Sequence, residues 1–111
     1  MDPAPLGEFE ALVLLAVLRV GDRAGGSAVR AEIEATTNRR VARGAIYVTL
    51  DRLEEKALLT SRLGTRPGRG GPPVRWYRVS AAGRRAVVQS VSSVVRMHAG
   101  LGHVVPIEDP S

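Results

Sequence analysis

Cysteine is absent from the 111-residue chain. That excludes a disulfide framework, a thiolate zinc site and a thiol nucleophile together. Long apolar runs are missing as well. The longest, Ala11 to Leu18, is eight residues, against the roughly 20 that a membrane-spanning helix needs. The N-terminal stretch lacks the basic leader and small-residue cleavage site of a signal peptide. These absences lead us to expect a cytoplasmic protein. His98 and His103 stand five residues apart and do not share a helix face, so no metal site is expected. Serine, histidine and acidic residues show no spacing that would assemble a nucleophile and a base. Neither an enzyme nor a cofactor is expected.

Lysine is nearly absent, since fifteen of the sixteen basic residues are arginine. The planar fork of arginine grips phosphate and guanine in bidentate fashion. Residues 1–38 carry three basic and six acidic groups, residues 39–85 twelve and three, and residues 86–111 one and two. The excess is therefore confined to the middle of the chain, and such segregation points to a polyanionic partner.

That basic middle opens on the stretch around which the rest is organised. Ile46, Leu50, Leu53 and Ala57 fall at i, i+4, i+7 and i+11, one stripe of a helix that begins near Ala42. At 100° per residue, Ala45, Val48, Thr49, Arg52 and Lys56 point away from the stripe. Arg39, Arg40 and Arg43 crowd the turn leading in. Outward residues of modest size beside guanidinium groups suit insertion into a DNA major groove. Ala42 is a poor N-cap, so a DNA phosphate is a fitting partner for the first N–H groups.

Two strands follow, Leu58 to Gly64 and Val74 to Ser80. Leu59, Ser61 and Leu63 share one face of the first. Tyr77 and Val79 face inward on the second, with Trp76 and Arg78 outward. The loop between them has no apolar residue to bury, and Arg66 and Arg69 at its tip suit phosphates or a minor groove. It is not a nucleotide-cradling loop, since no lysine followed by serine or threonine comes after it.

Upstream, Leu6 to Val20 reads as a helix with Phe9, Leu12, Val13, Ala16, Val17 and Val20 inward. Leu14, Leu15 and Leu18 are apolar too, so this helix needs cover on more than one side. Gly21 to Gly26 is a loop. Ser27 is positioned to cap a second helix, Ala28 to Thr36, with Val29 and Ile33 buried. Thr36-Thr37-Asn38 then supplies turn chemistry, which makes helices two and three a helix-turn-helix pair.

At the other end, Ser80 caps a last helix, Ala81 to Ala99, ended by Gly100. Val87, Val91, Val94, His98 and Leu101 form a 4-3-4-3 seam flanked by Val88 and Val95. Valines are mediocre helix formers, so burial must hold this helix, and a twin, packing back on helix 1, or both would provide it. The sequence thus predicts a mainly α fold with a small β-hairpin: a winged helix-turn-helix region over 1–80, a dimerisation helix over 81–100 in the same domain, and a tail over 101–111.

The chain resembles the PadR family of transcriptional regulators from about Leu6 to Val88. The resemblance rests on Leu6 to Glu10, on Gly44-Ala45-Ile46-Tyr47-Val48-Thr49-Leu50-Asp51-Arg52-Leu53-Glu54, and on Gly70 to Gly83. It implies a homodimeric winged-helix repressor, joined through its C-terminal helix, of a kind that often releases DNA on binding a small effector. Three departures stand out. Gly25-Gly26-Ser27 replaces a histidine-glycine-tyrosine, Ala57 stands where glycine usually ends the reading helix, and the C-terminal helix carries no aromatic residue. The last removes the stacking surface used by drug-binding members.

The DNA contacts expected are Arg39, Arg40, Arg43, Gly44, Ala45, Tyr47, Val48, Thr49, Arg52, Arg66, Arg69 and Arg75. A second subunit is expected on Leu14, Leu15, Leu18, Val87, Val91, Val94, Val95, His98 and Leu101. The function expected is sequence-specific repression at a palindromic operator. The alternative is a winged helix serving as a protein- or RNA-interaction module without operator specificity.

Overall fold

The helix that is apolar on nearly every side becomes the centre of the fold. In the computed structural model, which describes residues 5–66, 68 and 70–108, α1 runs Glu8–Val20 and α2 Gly26–Thr37. They are followed by α3 (Arg43–Glu55), β1 (Leu59–Gly64), β2 (Val74–Val79) and α4 (Ala81–His98). α1 touches α2, α3, β2 and α4. Its Val13, Leu14, Ala16 and Val17 are buried against Val29 and Ile33 of α2, Ile46, Leu50 and Leu53 of α3, and Leu59, Tyr77, Val79 and Val87. The strands are antiparallel, in register from Leu59↔Val79 to Gly64↔Val74. On the other edge of β2 the Tyr77 N–H donates to the Ala24 carbonyl at 2.9 Å, which bolts the hairpin to the α1–α2 loop. Among the described residues, no helix is long and apolar enough to cross a membrane.

The helix ends follow local chemistry in most places. Ala42 is the N-cap of α3 and offers no side-chain bond. At the other end Leu58 N–H bonds the Leu53 carbonyl and Ala57 N–H the Glu54 carbonyl, both at 2.9 Å. This pairing is a Schellman motif, and it puts Ala57 at φ 60°, in the left-handed region that glycine occupies more readily. Asn38, at φ 57°, ends α2 in the same conformation, which asparagine tolerates. Ser80 caps α4 by accepting the Gly83 N–H at 3.0 Å.

Three expectations are corrected. Ser27 does not cap α2. Gly25 does so without a side-chain bond, and the helix starts two residues early because the chain passes close beneath two aromatic rings. A Cβ on Gly25 would lie 3.4 Å from the Trp76 ring, and one on Gly26 2.6 Å from that of Tyr47. Leu63 shares the face of Leu59 and Ser61, as expected, but is 61% exposed, because past Ser61 the hairpin projects beyond the helices that would cover that face. Trp76, expected outward, is half-buried for the reason just given. Leu14 and Val87, expected under a second subunit, are buried in their own chain, since α4 crosses α1 early in its course.

Past Val87, the described residues leave most of the apolar side chains of α4 uncovered. Val88, Val91, Val94, Val95 and Met97 are exposed. The tail curls back on the last turn of the helix, with Leu101 accepting the Val104 N–H at 2.9 Å and the His98 ring bonded to the Val105 carbonyl.

Candidate nucleic-acid interface

α3 buries Ile46, Leu50 and Leu53 completely and presents Ala45, Val48 and Arg52 outward. Thr49 breaks with the outward assignment, being only 5% exposed. It lies three residues after Ile46, so it belongs to the core-facing arc, which is wider than the single row of leucines suggested. Lys56, exposed as its outward place implies, reaches back to α1, with its ammonium 2.7 Å from Glu10.

The angle at which α3 leaves α2 is set at Val41. Glu34 accepts the Val41 N–H at 2.8 Å, and Arg30 donates to the Val41 carbonyl at 2.7 Å. Both bonds come from α2, so one buried turn residue is clamped on its two backbone groups. Sequence reading missed Arg30 and Glu34. The available signal was a lone valine among the turn arginines, with partners at α-helical spacing on the preceding helix.

Of the turn arginines, Arg39 is tied to Glu8 at 2.8 Å, an exposed pair worth little, while Arg40 is exposed. The Arg43 guanidinium stands 5.8 Å from the centre of the Tyr47 ring, within cation–π range. Tyr47 in turn lies across Gly26, where any side chain would meet its ring. Gly44 is exposed, and a Cβ there would meet nothing within 4 Å, so its smallness has no internal reason.

The hairpin closes the other side. Arg75 donates to the Ser61 hydroxyl at 2.9 Å, and Ser61 donates onward to Glu54 of α3, which holds the hairpin against α3. Arg43 and Tyr47 of α3, Arg66 and Arg75 of the hairpin and Gly26 and Ser27 of α2 line one groove, with no carboxylate among its walls. Arg69 lies outside the described residues. Burial, with the charges of Asp51 and Glu54 adding to it against the pull of Arg75, pushes the Tyr77 phenol up. It therefore stays neutral beneath the groove. Among the described residues, no three metal-binding side chains cluster.

Apart from Arg39, paired with Glu8, and Arg69, outside the described residues, the predicted contacts fall into three groups. Arg43, Tyr47, Arg66 and Arg75 share the groove. Arg40, Gly44, Ala45, Val48 and Arg52 are exposed on or beside α3, and Thr49 is turned inward. For the second subunit, Leu15, Leu18 and His98 are half-buried, and Val91, Val94, Val95 and Leu101 are exposed.

The fold has solved relatives. A PadR-like transcriptional regulator from Bacillus cereus superposes with a TM-score of 0.72 at 17% identity, over 90% of this chain and 93% of that one. A PadR-like transcription factor from Bacteroides fragilis gives 0.69 at 21% identity, over 87% and 89%. A transcriptional regulator from Clostridium thermocellum gives 0.69 at 17%, over 86% and 91%. No curated protein matches the sequence. Residues 14–89, which hold every element from the middle of α1 into α4, match the Transcriptional regulator PadR-like family. With a basic groove between α3 and the hairpin inside that span, the chain belongs to the PadR-like family of DNA-binding transcriptional regulators.

Proposed function

We propose that the protein is a homodimeric, sequence-specific repressor that binds a palindromic operator. The observation that carries this reading is the carboxylate-free groove in which Arg43, Arg66 and Arg75 converge from α3 and the wing. In this reading Arg40, Arg43, Arg66, Arg69 and Arg75 neutralise phosphates, as would Arg39 once it leaves Glu8. The first turn of α3 enters the major groove with Gly44 and Ala45 against the duplex, and Tyr47, Val48 and Arg52 meet base edges.

The dimer follows from surface that one chain leaves open. Leu15 and Leu18 on α1, and Val91, Val94, Val95, His98 and Leu101 at the α4 end, are covered by a twin in this reading. A two-fold axis there would set the two reading helices about one DNA turn apart, roughly 34 Å. An electrophoretic shift with duplex DNA from the gene's own upstream region, competed with random duplex, tests it. Preferential retention of the upstream fragment by a dimer is expected. Equal affinity for both duplexes, or tighter binding to RNA, would overturn the reading in favour of an interaction module without operator specificity.

A further inference from the structure

The backbone between α2 and α3 hangs on one residue. The Asn38 N–H closes α2 by bonding the Glu34 carbonyl at 3.0 Å, and the Ala42 carbonyl opens α3 by accepting the Ile46 N–H. Among the described residues, the turn between those two groups makes backbone hydrogen bonds only through Val41. Glu34 accepts its N–H and Arg30 donates to its carbonyl, while the valine side chain is buried. Arg30 and Glu34 stand four residues apart on α2, so both reach out from one face. Neither forms an ion pair among the described residues. Their charges are committed to Val41 and not to each other.

Val41 leads into the part of α3 that has no core contact. Ala42, Arg43, Gly44 and Ala45 are exposed, and Ile46 is the first residue of the helix in the core. Arg30, Glu34 and Arg43 line one recess with Ile46 and Tyr47, so the clamp abuts that first turn. By charge alone Glu34 is out of place, since a carboxylate beside the turn arginines weakens attraction to any duplex. Its bond to Val41 supplies the reason for its presence.

We propose that Arg30 and Glu34 are positioning residues for operator recognition, which hold the first turn of α3 against the duplex through Val41 without touching a base. This role rests on the operator-binding reading. Hydrogen bonds to base edges weaken steeply when donor and acceptor are misaligned. Attraction to phosphates follows charge and carries no sequence information. A loosened clamp should therefore lower selectivity and spare general affinity.

Glu34→Ala sets the two effects in opposition. Loss of the negative charge should tighten binding to random duplex. Loss of the clamp should lower the preference for duplex from the gene's own upstream region by roughly tenfold, the size of one lost hydrogen bond to a charged group. Glu34→Gln keeps an acceptor for the Val41 N–H and should restore most of the preference. In the full chain without DNA, hydrogen exchange should find the Val41 N–H protected in wild type and faster in Glu34→Ala, with those of Leu50 and Leu53 unchanged. Should Glu34→Ala unfold, Arg30→Met breaks the other bond and keeps the stem, and it should lose preference with the salt slope retained. An Arg30→Met variant that loses both duplexes equally, with a slope smaller by roughly one unit, would make Arg30 a phosphate ligand and overturn the proposal. So would an unprotected Val41 N–H in wild type. Wild type without preference for the upstream duplex would end the repressor reading and this role with it, whereas a selective wild type beside an equally selective Glu34→Ala would end this role alone.

Discussion

Ser80 donates its hydroxyl to the Ala57 carbonyl at 2.7 Å while the same oxygen accepts the Gly83 N–H. One side chain therefore caps α4 and latches the end of α3. Next to it the Ser80 N–H bonds the Leu58 carbonyl at 3.1 Å, and a Cβ on Gly83 would collide with that carbonyl oxygen. Two small residues in this joint should respond in opposite ways. Ala57→Gly should raise stability by up to ~1 kcal/mol, because it relieves a left-handed alanine. Gly83→Ala should lower it by roughly 1–3 kcal/mol through overpacking. Thermal unfolding checks both, and a fall in Tm for Ala57→Gly would contradict the strain at φ 60°.

Glu10 should make part of the stability acid-sensitive. Desolvation raises its carboxyl, but the Lys56 ammonium, the Gly7 N–H and the nearby Arg52 outweigh that and hold it below its ordinary value of 4.5. A carboxylate depressed in the folded state contributes stability above its unfolded pKa and loses it as pH falls through the folded one. Chemical denaturation below pH about 4.5 should show wild type losing stability that Glu10→Gln has already lost at neutral pH. Parallel pH profiles for the two would remove the Glu10–Lys56 tie from the stability of α3.

The groove arginines should act through counterion release. Arg43→Ala and Arg66→Ala should weaken binding to every duplex and each reduce the slope of log K against log salt by roughly one unit. Binding measured across a salt series gives that slope directly. An unaltered slope would take the helix entry and the wing off the duplex.

Base recognition should separate Val48 and Arg52 from Thr49. Substitutions at the two outward residues should change which operator is preferred, each base interaction removed costing ~1–3 kcal/mol. Thr49→Val should leave preference alone, since the side chain lies in the core. Competition between operator and scrambled duplexes distinguishes the cases. A shift of preference in Thr49→Val would return that residue to the interface.

Val94 offers a clean test of assembly. At 68% exposure in the protomer, it can become aspartate without disturbing the folded chain. Beneath a twin, the same carboxylate would be buried without a partner and cost roughly 2 kcal/mol or more. Val94→Asp should therefore stay folded but sediment as a monomer at micromolar concentration, with weakened operator binding. A wild-type monomer that still held a palindromic site tightly would refute the dimer.

Much of this was legible in the chain itself, and for local reasons. Helical spacing from Ile46 to Leu53 placed α3, alternation around Tyr77 and Val79 placed β2, and Ser80 marked its own cap, because each depends on neighbours a few residues away. Spacing alone put Ala57 on the buried stripe, and only the family resemblance, with glycine usual there, pointed to its left-handed conformation. Charge segregation marked the basic face without reference to any fold. What each face would meet was settled by partners distant in sequence. Thr49 turned inward because α1 and the hairpin close over a wider arc than one leucine row. Leu14 and Val87 were covered from within because α4 crosses α1 before its valine seam begins. Ser27 lost its cap to Gly25 because Trp76 and Tyr47 descend on the two glycines, an approach no local pattern encodes. Periodicity fixes which residues share a face, whereas only packing between remote segments determines what lies against it.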